Sequence, residues 1–334
     1  MEQRVNRCEQ TVIKRNQTLD NARLAKTCFY TLALRTPRQM GLILSSLFIL
    51  LVGTMVSGCQ AAPSTPATSS TPAISSTPAA RGANGVPSPA HIVVVMEENH
   101  AYNQIIGASN APYINSLANS GALFSKSFGI THPSQPNYLA IFSGSTQGIT
   151  DNSCPLTFSG PDLGGELLNA GKTFVGYAES LPSVGSTACS SDSYQRKHNP
   201  WADFTDVPSS DNQPFTSFPT DFTKLPTVSF VVPDQLGDMH DGTVEQADGW
   251  LKTHLDAYVQ WAKTHNSLLI VTWDEDDDSQ NNQIATIFVG QMVKTGYYGK
   301  TINHYNILRT LEDAYGLSHA HNSASASPII DCWQ

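Results

Sequence analysis

Two pairs of oxygen-bearing side chains, Glu98-Asn99 and Asp274-Glu275, lie far apart in the chain, each at the end of an apolar run. The first run is His91-Ile-Val-Val-Val-Met and the second Ser267-Leu-Leu-Ile-Val-Thr-Trp. Unbroken Val/Ile runs of this length read as strands buried on both faces, and open α/β sheets place ligands at the C-terminal ends of such strands. Carboxylates and an amide gathered there suit a hard divalent cation. Glu97 is expected to stand apart from this set, facing solvent or capping a helix. The acidic run Asp274–Asp278 does not make an EF-hand loop, since its sixth position is Ser279 and its twelfth Ala285. Asp276–Asp278 read instead as a solvated loop face.

Thr131-His132-Pro133-Ser134-Gln135-Pro136-Asn137-Tyr138 follows a strand pattern and opens a helical one. Ser134 there suits an N-cap first, and after that a hydroxyl nucleophile beside a helix N-terminus that favours anions. No Gly-x-Ser-x-Gly elbow occurs in the chain, so the ordinary esterase arrangement lacks its signature. Asp238-Met239-His240-Asp241 leaves another strand, and His304 opens the pattern Asn303–Gly316. Histidines at strand exits and helix starts are candidates for proton transfer as well as for structure. His254, His265, His319 and His321 read as surface residues.

The elements that must position these groups alternate. Strand patterns cover 91–96, 122–128, 173–178, 226–232, 267–273 and 284–289, with helical patterns over 111–120, 135–142, 163–170, 244–265 and 303–315. That order implies an α/β domain with a mostly parallel central sheet and helices on both faces. Residues 179–225, rich in Ser, Pro, Asp and Asn, are expected to form a long irregular excursion of functional use.

Ahead of this domain, residues 1–58 carry a basic segment and the apolar run Gly41–Gly58 that stops at Cys59. Val56-Ser-Gly-Cys59 has the form of a bacterial lipobox, which would lipidate Cys59; the alternative is an uncleaved anchor of about 18 residues. The Ser/Thr/Pro-rich stretch to residue 89 reads as a solvated tether and residues 90–334 as the folded domain. Removing the eight Lys/Arg and three Asp/Glu of residues 1–58 from totals of 19 and 28 leaves 11 against 25, a net charge of −14. This argues against nucleic acid or an anionic membrane surface as partner, but not against a phosphorylated substrate, because a bound cation changes the local field. Outside the cytoplasm a disulfide is expected, with Cys154–Cys189 preferred and Cys332 left over.

Five motifs in order, Met96-Glu-Glu-Asn-His, His132-Pro-Ser-Gln-Pro-Asn-Tyr, Asp238-Met-His-Asp, Val271-Thr-Trp-Asp-Glu and Asn303–Gly316, resemble the bacterial and fungal phosphoesterase family. That family contains secreted acid phosphatases and non-haemolytic phospholipases C, within the alkaline phosphatase-like superfamily, and the resemblance spans residues 90–318. It implies a divalent cation held by Glu98, Asn99, Asp274 and Glu275, and Ser134 as a nucleophile that becomes phosphorylated. It also implies that His132, His240 and His304 contact phosphate or protonate the leaving group, with His240 favoured as proton donor. Larger members continue the Asp-Glu motif into Gly-Gly-Phe-Tyr-Asp-His, whereas this chain has Asp276-Asp-Asp-Ser-Gln-Asn-Asn-Gln283. The departure favours a phosphomonoesterase acting on a small phosphorylated substrate. A phosphodiesterase or phospholipase C, and a surface lipoprotein that binds a cation without turnover, are the competing readings.

Overall fold

Six apolar runs become the long strands of one sheet in a computed structural model that describes residues 81–334. The leader, the Val56–Cys59 motif and most of the tether lie outside the described residues. In chain order the strands are β1 (His91–Glu97), β2 (Ala122–Phe128), β3 (Phe174–Ala178), β4 (Asn212–Pro214), β5 (Val228–Val232), β6 (Ser267–Trp273), β7 (Gln283–Gly290), β8 (Gly296–Tyr298) and β9 (Ile302–Asn303). They form a nine-stranded sheet of order β8-β2-β7-β6-β1-β5-β3-β4, with β9 also on β2. β1 pairs in parallel with both β5 and β6, while β7 pairs antiparallel with β6 and β2. Only β7 therefore opposes its neighbours, because the β6–β7 connection is a direct return without a crossover helix.

The helices are α1 (Tyr102–Ile105), α2 (Pro112–Ser120), α3 (Ser134–Ser143), α4 (Leu163–Asn169), α5 (Val244–Ala262) and α6 (His304–Tyr315). Alternation along β1 divides the core. Ile92, Val94 and Met96 face a layer containing Tyr138, Leu139 and Phe142 of α3 and Ile307, Leu308 and Leu311 of α6. Val93 and Val95 face the layer of Ile114 and Leu117 from α2 and Leu251, Leu255 and Tyr258 from α5. Helices cover both faces, as the uninterrupted apolar strands require. α5 ends at Ala262, earlier than its apolar pattern suggests, and α1 is a single turn that the sequence does not signal.

Three expectations need correction. The end of the tether is folded: Asn84 Nδ2 donates to Asp313 Oδ2 at 2.8 Å, and Val86 is buried. Gly82 makes this possible, since a Cβ there would meet the carbonyl oxygens of Asp313 and Ala314 at 2.2 and 2.6 Å. Glu97 is wholly buried rather than facing solvent, and neither carboxylate oxygen has a partner. It points to the helix-covered face opposite Glu98, so no orientation at this position reaches water. Asp276 is buried too, because its carboxylate accepts the backbone N–H groups of Asp278, Gln280 and Asn282 and shapes the β6–β7 connection. Residues 179–225 contribute the edge strand β4 and short 3-10 turns.

Burial pushes Glu312 up to about 7, while its oxygens accept from Ala320 N and the Ser323 hydroxyl. Because its folded value exceeds the ordinary 4.5, this carboxyl stabilises the fold fully below about pH 4.5 and loses that contribution as pH rises to about 7. Glu312→Gln keeps the shape and mimics the protonated acid. It is expected to match the parent protein in Tm at pH 4.5 and to exceed it by several degrees at pH 8, a linked difference of up to roughly 3 kcal/mol. Thermal melts at the two pH values check this, and a variant equally destabilised at both would refute it.

Candidate active site

The C-terminal ends of β1, β2, β5 and β6 open at one edge of the sheet, and the oxygen-rich residues meet there. β1 delivers Glu98 and Asn99, β6 delivers Asp274 and Glu275, and the loop after β2 leads to Ser134 at the first position of α3. Asn99 takes a left-handed backbone (φ 52°), which asparagine tolerates well. Its N–H donates to Asp274 Oδ1 at 3.0 Å, and Asp274 N donates to the Glu97 carbonyl at 3.0 Å. These bonds lock the two strand ends together.

Ser134 is not a cap. Its hydroxyl lies 3.1 Å from Glu98 Oε2 and 3.1 Å from Glu275 Oε1, bridging carboxylates from different strands. Glu98 has a second side. Its Oε1 accepts the Tyr138 hydroxyl at 2.6 Å and stands 3.0 Å from His198 Nε2. His198 Nδ1 is 3.4 Å from Asp238 Oδ2, and its ring stacks on Tyr138 with centroids 5.0 Å apart. Neither His198 Nε2 nor Asp238 Oδ2 has an aligned hydrogen bond. Glu275 Oε2 accepts from Asn137 Nδ2 at 3.2 Å and lies 3.0 Å from His132 Nδ1. Asn137 Oδ1 accepts from Ile130 N and Thr131 N, fixing the loop that precedes Ser134.

The three sequence-predicted histidines have different surroundings. His132 is partly exposed and bridges Glu275 to Asp276 and Asp278. His240 Nδ1 lies 2.8 Å from Asp241 Oδ1, and its Nε2 lies 3.1 Å from Lys197 Nζ. His304 is buried, with Nε2 2.7 Å from the Asp274 carbonyl. Burial holds its ring at about 4, which keeps it neutral and donating to that carbonyl. The structure thus places His304 behind Asp274.

Sequence reasoning missed Lys197 and His198, which lie on the 3-10 turn Arg196–His198 within the irregular segment. No periodicity marks them. The one signal is a cluster of two cations and a histidine, Arg196-Lys-His, in a strongly acidic domain.

Burial raises the proton affinity of Glu98, with Asp274 and Asp238 adding to it, and burial likewise raises Asp274 and Glu275. Burial, then Lys197 and His240, push His198 well down. Among the described residues, no Lys or Arg nitrogen lies within 4.0 Å of the carboxylates of Glu98, Asp274 or Glu275. Asp274 Oδ2 is buried without a partner. Three converging carboxyls, short of positive charge and with an orphaned oxygen, fit a hard divalent cation. Glu98, His198 and His240 also offer ligand atoms within 4.8 Å of one another, a nitrogen-containing set that could hold a metal.

A mostly parallel sheet covered by helices, with its chemistry at the C-terminal strand ends, defines an alkaline phosphatase-like fold. A protein in the alkaline phosphatase superfamily from Vibrio parahaemolyticus superposes with a TM-score of 0.51 over 75% of this chain and 72% of its own, at 11% identity. A lipoteichoic acid synthase from Listeria monocytogenes gives 0.53 over 73% and 76%, also at 11% identity. The phosphoesterase family model matches residues 108–318, so the chain belongs to the phosphoesterase family and is a phosphoric ester hydrolase. It is 54% identical over 254 residues to a phosphatidylinositol-3-phosphatase from Mycobacterium tuberculosis, covering 75% of this chain and 85% of that one. A phosphate-repressible acid phosphatase from Penicillium chrysogenum is 30% identical over 223 residues, 61% of this chain. The chain spans about half the length of the fungal acid phosphatases it matches.

Proposed function

We propose that the domain hydrolyses phosphomonoesters in two steps through a phosphoseryl intermediate on Ser134, with a divalent cation held by Glu98, Asn99, Asp274 and Glu275. The observation that carries this reading is the Ser134 hydroxyl, set between two buried carboxylates at 3.1 Å each. A cation in that oxygen set supplies Lewis-acid stabilisation of negative charge on oxygen. The chain's own groups do the rest. Glu98 and Glu275 hold the Ser134 hydroxyl between them at 3.1 Å each, and its proton passes to that carboxylate pair as the new O–P bond forms. Asn137 fixes Glu275 and the approach loop, and the start of α3 places the positive end of a helix dipole beside the phosphoryl group. The departing alkoxide takes a proton from solvent on the His240 side of the site, water then attacks the phosphoseryl phosphorus, and Ser134 recovers its proton. His304 acts through Asp274 and His132 through Glu275.

The relatives' names support a monoester over a diester, since the 3-phosphate of a phosphatidylinositol is a phosphomonoester, and an inositol lipid phosphate is a fitting substrate class. We also place the domain outside the cytoplasm, tethered through a lipidated Cys59. The lipobox pattern supports this, as does the Cys154–Cys189 disulfide.

The test is turnover of p-nitrophenyl phosphate before and after EDTA, with add-back of single divalent cations. Chelation is expected to lower turnover at least about 10-fold, with restoration by one or more cations. Chelator-insensitive turnover would overturn the cation assignment. Faster cleavage of bis-p-nitrophenyl phosphate than of the monoester would overturn the substrate class.

A further inference from the structure

Lys197 is a charged side chain for which the scheme above has no use, yet its ammonium stands beside His240, close enough to Glu98, Asp238 and Glu275 for its field to reach them. Its backbone is clamped on both sides. Arg196 pairs with Asp203 at 2.9 Å and donates to the carbonyls of Thr187 (3.0 Å) and Ala202 (2.8 Å). Arg196 N donates to the carbonyl of Cys189, which is joined to Cys154. On the other side His198 is wedged between Glu98, Asp238 and the Tyr138 ring. Lys197 therefore projects from a fixed turn, and its Nζ reaches His240 Nε2 at 3.1 Å. Among the described residues no carboxylate oxygen lies within 4.0 Å of it. The charge is held close to the site without being neutralised by an ion pair.

Glu98 joins the two groups. Its Oε2 meets Ser134 and its Oε1 meets His198, and Glu98, His198 and His240 offer ligand atoms within 4.8 Å of one another, so the Lys197–His240 pair stands beside the carboxylate that binds the nucleophile. Phosphoryl transfer is in line, with attacking and leaving oxygens on opposite sides of phosphorus. We infer that Lys197 is a catalytic residue whose ammonium contacts the leaving-group oxygen of the phosphomonoester and stabilises the charge developing there, with His240 as the residue that positions it. His240 suits that task. Asp241 Oδ1 (2.8 Å) and the Gln235 side-chain amide (3.1 Å) both meet Nδ1; a proton on that nitrogen, facing the carboxylate, leaves the Nε2 lone pair to receive an ammonium hydrogen. The positive field of Lys197 also reaches Glu98, Asp238 and Glu275, lowering the proton affinity of each. This inference rests on the phosphomonoesterase reading.

A group that stabilises the leaving oxygen matters most when that oxygen leaves as a poor leaving group. Lys197→Met is therefore expected to lower kcat on an alkyl ester such as glycerol 2-phosphate by about 10²–10³-fold, the range for losing one charge-stabilising donor. The loss on p-nitrophenyl phosphate should stay below about 10-fold. Lys197→Arg, which keeps the charge and moves the donors, should fall between Lys197→Met and the parent on the alkyl ester. Equal losses on both esters, or no loss on either, would overturn the inference while leaving the phosphomonoesterase reading standing. An enzyme of native sequence inactive on both esters would sink that reading and the inference with it. Tm measured alongside detects a structural role, which lowers both activities together with stability.

Discussion

Replacing Ser134 with alanine is expected to lower phosphomonoester turnover by on the order of 10³–10⁶-fold while leaving the fold intact. The magnitude is that of removing a nucleophile for which no neighbour substitutes. The intact fold follows from the bonding around the hydroxyl. Ser134 donates to Glu98 and Glu275, but Glu98 keeps Tyr138 and His198, and Glu275 keeps Asn137 and His132. α3 remains packed in the core, where Tyr138, Leu139, Ile141 and Phe142 are fully buried. The sharper readout is covalent. After rapid mixing and acid quench with ³²P-labelled substrate, the parent enzyme should retain acid-stable label on the peptide containing Ser134, and Ser134→Ala should retain none. Full turnover in the variant, or label at another residue, would refute the phosphoseryl scheme.

The second large effect is expected at Glu98, the side chain shared by both halves of the site. In Glu98→Gln the amide oxygen can still accept from Tyr138, where the present bond is 2.6 Å. The amide nitrogen then faces Ser134, turning that hydroxyl from a donor into an acceptor and removing a negative charge from the oxygen set. Turnover should fall by about 10²–10³-fold, and half-activation should need at least about 10-fold more cation than in the parent. Isothermal titration with the activating cation gives an independent reading: affinity in Glu98→Gln should drop at least about 10-fold. Cation binding at undiminished affinity would remove Glu98 from the ligand set.

Much of the scaffold was legible because buried parallel strands and amphipathic helices write themselves in periodicity. β1, β2 and β6 lie on their apolar runs, and α5 begins at Val244 as its stripe indicates. The carboxylates at the ends of β1 and β6 were legible for the same reason, since strand ends can be read. Lys197 and His198 were not, because they sit on a 3-10 turn held by Arg196, Tyr138 and a disulfide rather than by any repeating pattern. Glu97 was misjudged through treating it as an edge residue. Its strand is covered on both faces, so a side chain at that height is buried whichever way it points. Asp276 misled in the same sense for another reason: a short carboxylate in an acidic run looks solvated, but three backbone N–H groups claim it. The role of His304 depended on one distance to a backbone carbonyl, which no sequence pattern carries.

The central position of β1 between β5 and β6 also sets a timetable for synthesis. β1 emerges first among the long strands, yet its nearer partner begins at Val228, about 130 residues later. At typical elongation rates of about 5–20 residues per second, Ile92–Met96 waits roughly 7–26 s without a neighbour on either side. An uncharged Val/Ile-rich segment left that long with both edges open is the kind of sequence that pairs with other chains. The strand that anchors the candidate active site thus needs a holding partner before the sheet closes around it, as does β2, whose first neighbour begins at Gln283.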